Sequence, residues 1–133
     1  MVATLVHGVV ERVRGLVQSL AQQGAKLVVL PDLSGSDPRG LSEAELLPLL
    51  QSLSRETRVL VAALMAERTD GATYRTAYLL GTGEVLAKHR QTHLTAREED
   101  LGFTAGDEPA PVVETAIGNL GLVAGAEGLV PEV

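Results

Sequence analysis

Two stretches constrain this chain more than any other feature: LVVL at 27–30 and VLVAALMA at 59–66 are apolar at every position. A strand with one face in water alternates apolar and polar residues, whereas an unbroken apolar strand needs cover on both faces. Chains with two such strands fold as layered α/β structures in which helices supply part of that cover. The intervening segments fit. Val9, Val13, Leu16, Val17 and Leu20 share one helical face between Val9 and Gln23, with Glu11, Arg12, Gln18 and Gln22 largely opposite. Gly24 follows as a C′ residue. Ser42 and Glu45 make a capping-box pair, starting a second helix that runs to about Ser54 and must accommodate Pro48.

The first buried strand is expected over Ala25–Leu30 and the second over Arg58–Ala66, with Ser34–Gly40 as a loop between strand and helix. Thr69-Asp70-Gly71 is a turn into a strand at Thr73–Leu80, and Gly81-Thr82-Gly83 turns the chain into its hairpin partner, Glu84–His89. Thr95–Gly106 reads as a polar loop, and Val112–Thr115 with Leu120–Ala124 as a further hairpin. The order is αβαβ followed by hairpins. It implies an α/β fold with one mixed sheet and helices 9–23 and 43–54 on the same face. The 133 residues form one domain by length, without repeat or linker.

Composition narrows the function. A formal charge of −6 argues against nucleic-acid backbones and anionic membrane surfaces as partners. Aromatic residues are only Tyr74, Tyr78 and Phe103, so the core is aliphatic. The chain has no cysteine, which excludes disulfides, thiolate zinc sites and a cysteine nucleophile. Val59–Ala66 is far shorter than the roughly 20 apolar residues a bilayer requires. Glu11, Arg12 and Arg14 interrupt any signal-peptide pattern, so a cytoplasmic location is the default expectation.

Individual motifs add little. His89 and His93 have the spacing of two zinc ligands on a helix, but no glutamate accompanies the first and the segment follows a strand. Solvated histidines at a strand end are the expectation, and no metal or other cofactor is expected. Gly118, Gly121 and Gly125 are spaced GxxGxxxG, not GxGxxG, so tight turns explain them better than a dinucleotide. Neither a GxSxG nor a P-loop pattern occurs.

One residue pair asks for more. The first apolar strand delivers Pro31-Asp32, a carboxylate at the carboxyl end of a sheet strand, where it is either a turn residue or a site acid. Its surroundings, GAKLVVLPDLSG, resemble the Pro-Glu strand of the nitrilase (carbon–nitrogen hydrolase) superfamily. RTDGATYRTAYLLGTGEVLAKHRQTHL is similar to that family's Tyr-Asn-Ser-Ala strand, glycine turn and Tyr-Arg-Lys-x-His-Leu motif. EDLGFTAGD resembles Glu-x-x-x-Phe-x-x-Gly-Asp, with Glu99 in the glutamate place. NLGLVAGAEGLVPE parallels the strand and elbow Gly-(apolar)-Cys-Tyr-Asp-x-x-x-Pro-Glu.

What the resemblance implies is a degenerate site. Such enzymes use a Glu–Lys–Cys triad, and the corresponding positions here are Asp32, Gln91 and Gly125, with Glu99 accessory. Gly125 offers no nucleophile, so no covalent intermediate can form there. Gln91 carries no charge, which weakens oxyanion stabilisation by a few kcal/mol. Asp32 is one methylene short, and a misplacement of about 1 Å costs on the order of 10²-fold. Arg75 replaces an asparagine, while Glu127 and Pro131-Glu132 keep the elbow's acids. Asp32 then either binds a cationic or amide ligand or anchors its loop. The family's αββα sandwich needs a second half, so this chain resembles an incomplete N-terminal half whose Val2–Val6 is a compressed first strand. The expected role is non-catalytic: regulation, binding of a small amide-like ligand, or assembly with a second copy or a completing partner. The alternative is an amide or nitrile hydrolase in which Asp32 or Glu99 activates water.

Overall fold

The computed structural model describes residues 2–33, 43–125 and 127. Along the chain come α1 (Val2–Gln22), β1 (Leu27–Asp32), α2 (Glu43–Thr57), β2 (Leu60–Thr69) and β3 (Ala72–Gly81). They are followed by β4 (Glu84–Arg90), α3 (Ala96–Asp100), β5 (Val112–Thr115) and β6 (Gly118–Gly121). The expected cap Ser42, the loop Ser34–Gly40 and Pro131-Glu132 lie outside the described residues.

Four strands form one mixed sheet in the order β1-β2-β3-β4, with β1 parallel to β2 and the other pairs antiparallel. Pleating sends Val61, Ala63 and Met65 of β2 to one face and Leu60, Ala62 and Leu64 to the other. On the first face these residues pack with Val28 and Leu30 against Val13 and Val17 of α1 and Leu46, Leu50 and Leu53 of α2. Val17, Leu46, Val61 and Leu80 are fully buried, and each such side chain contributes roughly 1.5–3 kcal/mol. Both helices therefore cover the same face, as their apolar stripes require.

The second face is covered less well. Ala77 and Leu79 are buried with Leu122 and Ala124, and Leu120 and Val113 of the β5–β6 hairpin pack beside them. Leu27, Leu60, Ala62 and Leu64 are only partly buried there, and Val29 is 71% exposed.

Three expectations change. Val2–Val6 is the start of α1 and not a strand: Val2, Leu5, Val6, Val9 and Val13 keep the helical period. The polar stretch Thr95–Gly106 contains α3, whose capping box pairs Thr95 and Glu98. The first strand continues through Pro31 to Asp32. Proline is tolerated because β1 is an edge strand of the sheet and its pairing is irregular between Val29 and Asp32.

A polar cluster ends the helix-covered face. Buried Glu67 accepts from Thr76 Oγ1 at 2.9 Å, Arg90 Nε at 2.9 Å, Arg90 Nη2 at 3.1 Å and the Lys88 ammonium. Burial alone would raise its pKa, but the hydrogen bonds from Arg90, Lys88 and Thr76 outweigh it and hold it at about 2.

Candidate functional site

Asp32, Gln91 and Gly125 do converge, through two residues that link them. Asp32 stands at the carboxyl end of β1. Arg75 projects from β3 on the face carrying Ala77 and Leu79, and its guanidinium donates to Asp32 Oδ2 through Nη2 and to Glu98 Oε2 through Nη1. The guanidinium carbon lies 5.9 Å from the centre of the Phe103 ring. The Glu98 carboxylate is held from the other side: its Oε1 accepts from Thr95 N at 2.8 Å and Gln91 Nε2 at 3.0 Å.

Gln91 follows β4 and is fully buried. Its Nε2 also donates to His93 O at 2.9 Å. Two acceptors on one side fix the amide with its nitrogen towards Glu98 and its oxygen towards Gly125. Gly125 has φ +57°, and a Cβ built there would lie 2.9 Å from Gln91 Cδ and 3.1 Å from Nε2, and closest to Oε1. The Gln91 amide therefore fills the space a side chain at 125 would need. Two polar atoms of this cluster are buried with no partner among the described residues, the donor Arg75 Nε and the acceptor Gln91 Oε1.

Glu99 is not part of the cluster. It lies exposed on α3, and its neighbour Glu98 is the buried carboxylate that meets Gln91. Thr95-Ala96-Arg97-Glu98 is a capping-box sequence, the signal that identifies both the helix and the inward glutamate. Matching from Phe103 alone misses it by one residue.

The turn carrying Gly125 is anchored by buried Glu127. One oxygen accepts from Ala124 N at 2.7 Å, and the other from Thr92 N and Thr92 Oγ1, both at 2.7 Å. His89 Nε2 reaches the two oxygens at 2.9 and 3.0 Å. Burial pushes the Glu127 pKa up, but the N–H groups of Thr92 and Ala124, the Thr92 hydroxyl and His89 outweigh it and hold the carboxyl low. His89 is thus not the solvated histidine the sequence suggested: it is buried in a contact with a carboxylate 38 residues away. Exposed His93 meets Thr92 Oγ1 at 2.9 Å through Nδ1, so the two histidines have different partners. Among the described residues, no group of three or more His, Asp or Glu could hold a metal ion. Nor is any helix among them long and apolar enough to cross a membrane.

The carbon-nitrogen hydrolase family model matches residues 2–133. A nitrilase of Pyrococcus abyssi is 30% identical, the match covering 69% of this chain and 42% of that protein. The chloroplastic omega-amidase of Arabidopsis thaliana is 26% identical, over 80% of this chain and 35% of that one. Among solved structures, a mutant of the Nesterenkonia AN1 amidase, from the nitrilase superfamily, superposes with a TM-score of 0.82 at 22% identity. That superposition covers 96% of this chain and 53% of the amidase. Another mutant of that amidase, at TM-score 0.77, carries the acetamide moiety of fluoroacetamide covalently on its active-site cysteine. The chain thus spans about half or less of the length of these relatives.

Proposed function

We propose that this chain, which belongs to the carbon–nitrogen hydrolase family, is a non-catalytic member with a binding or assembly role. One observation carries the reading. Where the resemblance puts the nucleophile there is Gly125, and the Gln91 amide occupies the room a side chain would need. The chain contains no cysteine to supply a thiolate from elsewhere. The active-site cysteine named in the amidase structure has no counterpart here.

The remaining polar groups support the same reading. Asp32, proposed as the family's general base position, is ion-paired to Arg75, so its charge is already engaged. Glu99, the other acid considered for activating water, is exposed away from the cluster. Two atoms have no partner among the described residues, Arg75 Nε–H and Gln91 Oε1. The small amide-like ligand of this reading would present the complementary pair, a carbonyl that accepts and an NH2 that donates. The partly bare second sheet face supports an assembly role, in which a second copy or a completing polypeptide covers Val29 and its neighbours.

The test is ammonia release from simple amides and nitriles by the wild-type chain and by the triple variant Asp32→Glu, Gln91→Lys, Gly125→Cys. Wild type is expected to release none, and Gly125→Cys alone to gain nothing, because triad members act as a unit. Wild-type turnover that vanishes on Asp32→Ala overturns the reading and establishes water activation by that carboxylate.

A further inference from the structure

The substitution of arginine at position 75 changes what the site can hold. Its guanidinium is gripped on two edges by carboxylates from different elements, Asp32 at the end of β1 and Glu98 on α3. The Phe103 ring lies 5.9 Å from the guanidinium carbon. The Arg75 side chain is only 15% exposed. Two carboxylates at the fork of a planar cation, with an aromatic ring beside it, are the elements of a guanidinium receptor.

The Glu98 carboxylate and the backbone at Asp32 are held without Arg75. Glu98 is oriented by Thr95 N and Gln91 Nε2, at 2.8 and 3.0 Å, through the oxygen Arg75 does not use. Asp32 sits on backbone fixed by strand pairing, where Leu33 N donates to Leu64 O at 2.9 Å. Shortening Arg75 leaves these supports in place and vacates a volume the size of a guanidinium.

We propose that Asp32, Glu98 and Phe103 form a guanidinium-binding site occupied in cis by Arg75, so that this side chain must leave before any cation enters. The inference concerns the same site as the non-catalytic reading and rests on it only in leaving Arg75 no part in turnover. Its test reads binding, so its failure leaves the hydrolysis result untouched.

The experiment compares wild type, Arg75→Ala and Arg75→Ala/Glu98→Gln, each as the full 133-residue chain, in millimolar guanidinium chloride. Equal concentrations of sodium and tetramethylammonium chloride serve as controls. At millimolar levels the denaturing action of guanidinium is negligible. Arg75→Ala is expected to show a saturable rise in Tm, roughly 3–6 °C at ten times the half-saturating concentration. Wild type and the double variant should show none, nor should the control cations act on Arg75→Ala. If Arg75→Ala is unfolded, recovery of its circular-dichroism signal by guanidinium alone is the equivalent result. In wild type, the Arg75 guanidinium should give separated, slowly exchanging proton resonances that are absent from the spectrum of Arg75→Ala. A single variant that responds no differently from wild type, or averaged resonances for the Arg75 guanidinium, overturns the proposal.

Discussion

Adding a single methyl group at Gly125 tests the packing of the site directly. In Gly125→Ala the new Cβ meets the Gln91 amide, 2.9 Å from Cδ and 3.1 Å from Nε2. Contacts this short force the neighbour to move, and Gln91 is fully buried and pinned by hydrogen bonds to His93 O and Glu98 Oε1. Overpacking of this kind costs about 1–3 kcal/mol. Alanine at φ +57° adds about 1 kcal/mol of backbone strain. The expected loss is therefore about 2–4 kcal/mol by urea unfolding. In a Gln91→Ala background the collision disappears and only the backbone strain of about 1 kcal/mol remains. The double variant should thus be more stable than additivity allows by about 1–3 kcal/mol. Additivity within about 0.5 kcal/mol in that cycle would refute the claim that Gln91 fills the place of a side chain at 125.

Other expectations follow from the buried charges and the second face. Glu67, held at about 2 in the folded state against an ordinary 4.5, adds stability that is complete above pH 4.5. That stability drains away as pH falls towards 2; screening by solvent around the exposed Lys88 and Arg90 heads keeps it to about 1–3 kcal/mol. In a Glu67→Gln variant the urea midpoint should fall less between pH 5 and pH 3 than in wild type; equal slopes contradict the assignment. Glu127→Gln replaces one of two accepting oxygens by a donor facing N–H groups, and should lower stability by about 2–3 kcal/mol. Amide exchange measures it locally, with Thr92 N and Ala124 N losing protection first. Light scattering at micromolar concentration, with a hydrophobic dye alongside, reports on the partly bare sheet face. Self-association or dye binding is expected, reduced by Val29→Lys, and a compact monomer that binds no dye would end the assembly idea.

Much of this protein is legible in one dimension because its causes are local. Unbroken apolar runs at 27–30 and 59–66 demand two-sided cover, and Val13, Val17 and Leu20 of α1 supply it on one side, whereas Leu16 of the same expected stripe is 49% exposed. The absence of cysteine from these 133 residues is likewise visible in the composition alone, and the order of motifs is enough to bring Asp32, Gln91 and Gly125 to one place. Tertiary structure decided what those residues do there. Arg75 reaches Asp32 across 43 positions and Glu98 across 23, and no periodicity specifies a pairing at that range. Whether Glu98 or Glu99 turns inward depended on the phase of α3, set by the Thr95 cap, since one residue on a helix turns a side chain by about 100°. His89 is buried where β4 meets Glu127, whose carboxylate answers its ring nitrogen. Charges in contact are chosen by the fold, and only their number is written in the chain.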